Sequence, residues 1–370
     1  MDRVESAGGQ LGAVLSAPRS GAAALAPGGP WLATDLAQAR RVLADPEAFD
    51  FPGNVNRTGD LSGSRGETRS GHTVFAPVPP DAVARGVATF EREWTAALAD
   101  HRRTRPDVPY DAMLLLRRPV ARSTTSAVLP SASDETRNRV GDHVLAWIDA
   151  LGPVIAAHRR PWRWGRVRRT ERDTRIALED VLEEALDAEP DVDLSPQQAA
   201  TMLAAGIQVP IAAGAFLLAW LAQQPAPVEP TSAAWETLRL TPPTWLTARV
   251  TTREVELGGT TIPQGRVVFV SPLLLGRLSD LVPGGPGGLD QFDAGRWQDG
   301  GRRPGAWLPF GAGPHACPGR NLGMGILVAL AAWGAKHELQ LSKTVRIDQS
   351  RGISPTPCWF TAAPRSEHDL

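Results

Sequence analysis

Trp307-Leu308-Pro309-Phe310-Gly311-Ala312-Gly313-Pro314-His315-Ala316-Cys317-Pro318-Gly319-Arg320-Asn321-Leu322-Gly323 is the stretch from which the fold can be read. Glycine and proline crowd it, which favours turns, and an apolar segment with helical periodicity follows from Asn321 to about Ala335. The run reads as a loop that presents one sulfur. Cys317 falls just before a helix N-terminus, where unpaired amide N–H groups and the positive end of the helix dipole favour thiolate over thiol. Such a thiolate is a metal ligand or a nucleophile.

The nucleophile reading is the weaker. A catalytic cysteine needs a base, and His315, two residues away on a tight loop, is poorly placed to point at the sulfur. Zinc lacks its usual set of clustered Cys and His ligands, because the only other cysteine is Cys358. One thiolate suits an iron that already has four other ligands, as in haem with a proximal cysteine.

Phe310-x-x-Gly313-x-x-x-Cys317-x-Gly319 resembles the haem-binding loop of the cytochrome P450 family. Two distant segments extend the resemblance. Glu236-x-x-Arg239 places both side chains on one helix face and is similar to the family's ExxR pair. Phe292-Asp293-Ala294-Gly295-Arg296-Trp297 resembles the later segment whose arginine, here Arg296, completes an ion-paired triad. The likeness covers roughly residues 30 to 345. It implies a mainly α fold, a helical body with small β-sheet regions, and haem b held by Cys317 as axial iron ligand. Phe310, Gly313 and Gly319 would shape the cofactor loop, with Arg249, His315 and His72 as partners of the haem propionates.

Composition excludes other classes. The 39 basic and 40 acidic residues leave a formal charge of −1, so nothing electrostatic favours a nucleic-acid partner. Two cysteines exclude a disulfide framework, and the first twenty residues carry charges with no sustained apolar run, so a cytoplasmic location is expected. Residues 204–222 are nineteen without a charge, about the length of a membrane span. Gln208 and Pro210 lie inside and no basic flank follows, which favours a buried core helix with no membrane partner.

The whole chain, 1–370, reads as a single domain, with an N-terminal segment 1–30 of little fixed structure and a C-terminal segment 346–370. A short helix is expected over 34–43, a mobile loop over 51–72 and a helix over 80–99 with Phe90, Trp94 and Leu98 on one face. Residues 110–190 are mostly helical, interrupted at 158–169 by an arginine- and tryptophan-rich run. That run reads as a docking patch for an acidic electron-transfer protein or an anionic substrate or, as the preferred reading, a solvated loop with snorkelling arginines. Ser195-Pro196 opens the longest helix, on the order of 45 Å to about Gln224. Residues 233–240 form another helix, and Glu254-Val255-Glu256-Leu257 with Val267-Val268-Phe269-Val270 reads as a small hairpin region.

The long helix departs from the family pattern. Where P450s carry a small-Gly-x-acid-Thr run that activates dioxygen, this chain has Ala205-Gly206-Ile207-Gln208-Val209-Pro210, with neither acid nor alcohol. Ala205, Gly206, Gln208, Val209 and Pro210 are the candidate distal catalytic residues. Pro210 lacks an N–H and collides with the Gly206 carbonyl, so a kink costing about 3 kcal/mol is expected. Proline here is similar to the family's fatty-acid peroxygenases, yet Val209 stands where they carry an acid-anchoring arginine. The expected function is oxidation of a small, largely apolar molecule in natural-product tailoring, with a ferredoxin-type donor. The alternatives are a peroxide-driven enzyme needing no donor, a redox-neutral haem enzyme, and a binding protein on a degenerate haem scaffold.

Overall fold

Helices make the body of the protein and short sheets its margin. A computed structural model describes residues 1, 4–52, 74–157, 161–162, 164–189, 192–284, 288–298, 304–350 and 352–366. His72 and most of the loop expected over 51–72 lie outside the described residues, as do 158–160 and 163 of the arginine- and tryptophan-rich run.

Caps and apolar spacing account for the helices. Helix α1 spans Gly9–Leu15, α2 Leu36–Ala44 and α3 Pro80–Thr104. Asp35 caps α2 by accepting from the Gln38 N–H, and Phe90, Trp94 and Leu98 bury one face of α3. Then follow α4 (Ala112–Leu115), α5 (Arg117–Val128), α6 (Asp134–Ala156) and α7 (Arg166–Leu186). Helix α8, Pro196–Leu221, opens with a full capping box between Ser195 and Gln198. The set closes with α9 (Pro230–Leu240), α10 (Pro272–Leu275) and α11 (Arg320–Ala335).

Among the described residues α8 alone is long and apolar enough to cross a membrane, and 67% of its most apolar window is buried inside the fold. Helices α5, α9 and α11 pack against it. The helix runs on through Pro210, which leaves one helical hydrogen bond, that to the Gly206 carbonyl, unmade.

The strands are β1 (Ala23–Ala24), β2 (Trp31–Ala33), β3 (Phe49–Asp50), β4 (Tyr110–Asp111), β5 (Thr247–Thr251) and β6 (Val255–Leu257). They continue with β7 (Thr260–Ile262), β8 (Val267–Val270), β9 (His337–Leu341), β10 (Arg346–Asp348), β11 (Ser354–Thr356) and β12 (Trp359–Pro364). The largest sheet has the order β1-β2-β8-β5-β3, with Trp31 beside Val268 in parallel and Ala248 opposite Phe269 antiparallel.

Two expectations are corrected here. The hairpin pairs β6 with β7, not with 267–270, because Gly258 and Gly259 take φ of 58° and 77° and turn the chain at once. Residues 267–270 instead form a central strand of the largest sheet. Residues 4–30 also have fixed structure, since Leu11 and Val14 of α1 pack into a core with Phe216, Trp220 and Leu273. A larger helical core joins α3, α5, α6, α7, α8 and α11, and a third core lies under the largest sheet.

Candidate functional site

The loop ahead of α11 is anchored at one end. Trp307 is fully buried and, with Leu308, belongs to the core under the largest sheet. Leu308 takes φ 58°, a left-handed conformation costing a branched residue about 1–2 kcal/mol, which its packing must hold. Gly313 (φ 73°) presses so closely on the end of α2 that a Cβ there would lie 2.6 Å from the Leu43 carbonyl oxygen. Between these fixed points the Cys317 N–H donates to the Phe310 carbonyl at 2.9 Å.

Cys317 is accessible, yet burial by surrounding protein raises its pKa above the usual thiol value. The Gly319 N–H and the Arg320 cation oppose that shift and do not cancel it. This corrects the expectation that helix position alone favours the thiolate: in the protein by itself desolvation wins.

Helices α8 and α11 pack side by side. A Cβ at Gly214 of α8 would touch Leu330 of α11, and one at Gly334 of α11 would touch Leu221 of α8. The two helices thus run in the same sense from their contact. Followed back toward their N-termini, they lead to 205–210 on one and to Cys317 on the other. Residues 211–221 are buried throughout, whereas Ala205 is exposed and Gly206, Gln208, Val209 and Pro210 are half-buried. Apolar and neutral side chains left open on a core helix suit a ligand. The Gly206 carbonyl, deprived of its helical donor by Pro210, accepts from Thr124 Oγ1 of α5 at 3.2 Å.

A cationic corner is built from residues far apart in sequence. The Arg249 guanidinium lies 3.8 Å over the Phe51 ring, which meets His315 edge-on with centroids 4.8 Å apart. Arg249 is 4% exposed, and among the described residues its one hydrogen bond goes to the Ala248 carbonyl, with no carboxylate in ion-pair range. Burial lowers its pKa to about 10, offset in part by Asp50. His315 is also lowered, by burial first and by Arg249 second. A buried cation so poorly paired has room for an anion.

Glu236 gathers a second cluster. Its carboxylate accepts from Arg239 Nε at 2.8 Å and Nη2 at 2.6 Å, from Arg296 Nε at 3.0 Å and from the Asp293 N–H at 3.0 Å. Its remaining partner, unforeseen from sequence, is the Trp297 indole at 2.9 Å. The Glu236, Arg239 and Arg296 side chains are all 0% exposed. Trp297 stacks at a tilt on Trp307, 5.0 Å away, and Trp235 of α9 lies 6.2 Å from Phe310. The buried ion cluster is therefore wired by aromatic rings to the cysteine loop.

Comparison with known proteins agrees with this geometry. A family model described as Cytochrome P450 matches residues 231–334, the segment holding Glu236, Arg239, Arg296 and Cys317. Over that segment the chain is similar to the cytochrome P450 family. Similar proteins include cyclooctat-9-en-7-ol 5-monooxygenase of Streptomyces melanosporofaciens, 41% identical over 92 residues, 24% of this chain and 19% of that one. Cyclooctatin synthase of the same organism is 42% identical over 109 residues, 28% of this chain and 23% of that one. The matched stretch thus spans about a fifth of these relatives' length. In three dimensions a P450 from Thermus thermophilus superposes with TM-score 0.70 at 23% identity, covering 91% of this chain and 89% of that one. The fold is that of the P450s.

Similarity to the P450s implies a haem, and the residues present fit one. Cys317 is a single accessible sulfur on a glycine-rich loop, Gly319 leaves open space where a Cβ would sit, and Arg249 is a buried cation without a carboxylate partner among the described residues. A flat apolar ring bearing two carboxylates and needing one thiolate matches that set. Thr124 and Phe51 carry no local signal, since their partners are 82 residues away or on another strand.

Proposed function

We propose that this chain is a P450 haem-thiolate oxidoreductase, carrying haem b on Cys317 and oxidising a small, largely apolar molecule. The observation that carries this is the accessible Cys317 on its anchored loop ahead of α11, two residues from His315 and the buried cationic corner of Arg249. When bound, the haem supplies the oxidative chemistry, and a thiolate ligand favours O–O cleavage. The chain's own residues bind, orient and exclude water. Arg249 and His315 hold the propionates, and Glu236, Arg239 and Arg296 fix the loop that offers the sulfur. Ala205 and Val209 give substrate an apolar wall, and Gln208 orients a polar group or a water. The reading is tested by haem uptake: a stoichiometric complex is expected for the native chain and none for Cys317→Ala.

The names of the Streptomyces relatives support a natural-product tailoring step as the setting. A ferredoxin-type donor and a cytoplasmic location complete the reading, without nucleic-acid or membrane partners.

A second reading concerns the oxidant. Residues 205–210 contain no group that titrates near neutrality, so no side chain there can deliver a proton. Protons must come from water or from a substrate carboxyl or hydroxyl, or the oxidant is hydrogen peroxide and no donor is needed. A redox-neutral reaction has the same motive. Mixing the ferric protein with peroxide, with and without small carboxylic acids, separates these. Product formed without haem bleaching, quickened by the acid, supports peroxide. Turnover only with dioxygen and a reduced ferredoxin supports the first reading. The accessible, enclosed Cys317 argues against a purely binding role.

A further inference from the structure

Helix α5 carries Ser123-Thr124-Thr125-Ser126, four consecutive hydroxyl residues, all buried. A polar run in a core helix must find partners. Two of these reach in different directions. Ser123 Oγ donates to the Gly86 carbonyl of α3 at 2.8 Å, and Gly86 is so close to α11 that a Cβ there would lie 2.6 Å from Leu322 Cδ1. Thr124 Oγ1 donates toward the Gly206 carbonyl of α8 at 3.2 Å, sharing its proton with its own Val120 carbonyl at 2.9 Å. A Cβ at Gly206 would lie 3.1 Å from the Thr124 methyl, so backbone and side chain are in direct contact. One residue of α5 thus reaches the backbone of α3 where it abuts α11, and the next reaches the backbone of α8.

The Gly206 carbonyl is the group that Pro210 orphans, because residue 210 has no N–H to give. Left unpaired it would draw in water or let α8 shift. We propose that Thr124 is a positioning residue of the haem site. Its hydroxyl replaces the donor that Pro210 lacks, and so fixes how far Ala205, Gln208 and Val209 stand from Cys317. The inference rests on the haem reading above and adds to it the residue that sets the width of the substrate space.

The test uses the haem-loaded full chain and two probes that bind haem iron, imidazole and the bulkier 4-phenylimidazole, titrated by absorbance. Thr124→Val keeps the shape and removes the O–H; Thr124→Ser keeps the O–H. Thr124→Val is expected to change the ratio of the two dissociation constants about fivefold, the weight of one hydrogen bond, and Thr124→Ser by less than about twofold. In a Pro210→Ala background the amide of residue 210 serves Gly206 from within the helix, so Thr124→Val should there be silent. A native ratio in Thr124→Val, an equal shift in Thr124→Ser, or an effect that persists beside Pro210→Ala overturns the proposal. Should Thr124→Val alone fail to load haem, the double variant is expected to load it, and failure of both also overturns it. Absence of any azole spectrum in the native chain is a different result, which removes the haem reading and this inference with it.

Discussion

The backbone N–H of Cys317 donates to the carbonyl of Phe310 at 2.9 Å, closing the loop on itself just ahead of α11. The sulfur is thus placed by backbone, and the glycines between and beside these residues differ in what they permit. Gly313 has φ 73° and no room for a Cβ, whereas Gly319 has φ −90° and open space. Gly313→Ala is expected to destabilise the fold by about 2–5 kcal/mol, combining left-handed strain with overpacking. Gly319→Ala should melt like the native apoprotein and yet take up haem poorly. Calorimetry of the apoproteins beside haem titration checks both, and equal behaviour of the two variants would contradict the assignment of that open space to cofactor.

Glu236→Ala strands two fully buried guanidinium groups and the Trp297 indole. A loss of about 3–5 kcal/mol is expected, enough to prevent folding of a protein of ordinary stability. Trp297→Phe removes one hydrogen bond to a carboxylate and should cost about 1.5–3 kcal/mol. Urea unfolding of the soluble variant measures the second value, and the yield of folded protein reports the first.

Helix α9, which carries this cluster, is capped by Glu229, whose carboxylate accepts from the Thr231 and Ser232 N–H groups at 2.9 and 2.6 Å. Burial raises the Glu229 pKa, but these hydrogen bonds more than offset it and the net shift is below the usual 4.5. A depressed carboxyl stabilises the fold above its unfolded pKa, and the gain is lost as pH falls through the folded one. Glu229→Gln should therefore lower stability by about 0.5–1 kcal/mol at pH 7, given its exposure, and the difference should vanish in strong acid. Melting curves against pH check the convergence.

How much of this was legible depends on whether a partner is local. The Phe310, Gly313, Cys317 and Gly319 spacing, the Glu236 and Arg239 turn, and the Ser195-Pro196 cap lie within single elements, where spacing alone fixes which face a side chain takes. Trp297, Thr124 and Phe51 could not be found that way. Each acts on a residue from a different element, and nothing in a tryptophan, a threonine or a phenylalanine announces such a partner. The hairpin was misjudged for the same reason in miniature. Gly258 and Gly259 looked like spacing between distant strands, and only their positive φ makes them a tight turn.

Arg249 is buried without a carboxylate among the described residues, and burial holds its pKa at about 10. A lowered cation pKa opposes folding at neutral pH, and the cost is relieved only as pH rises from about 10 toward the ordinary 12.5. Arg249→Leu is expected to leave the apoprotein as stable as the native chain or more so, by roughly 1 kcal/mol. The same variant should release haem faster. Apoprotein melting and haem transfer to apomyoglobin measure the two effects, and a destabilised apoprotein would show that Arg249 is paired without haem.

The central claim is that Cys317 ligates haem iron, and the reduced carbon monoxide complex tests it most directly. The account predicts the long-wavelength Soret band of a thiolate-bound haem in the native chain, lost in Cys317→Ala and retained in Cys358→Ala, whose thiol is buried with its pKa pushed up to about 12. An unchanged band in Cys317→Ala, or its absence from the haem-loaded native protein, would contradict it.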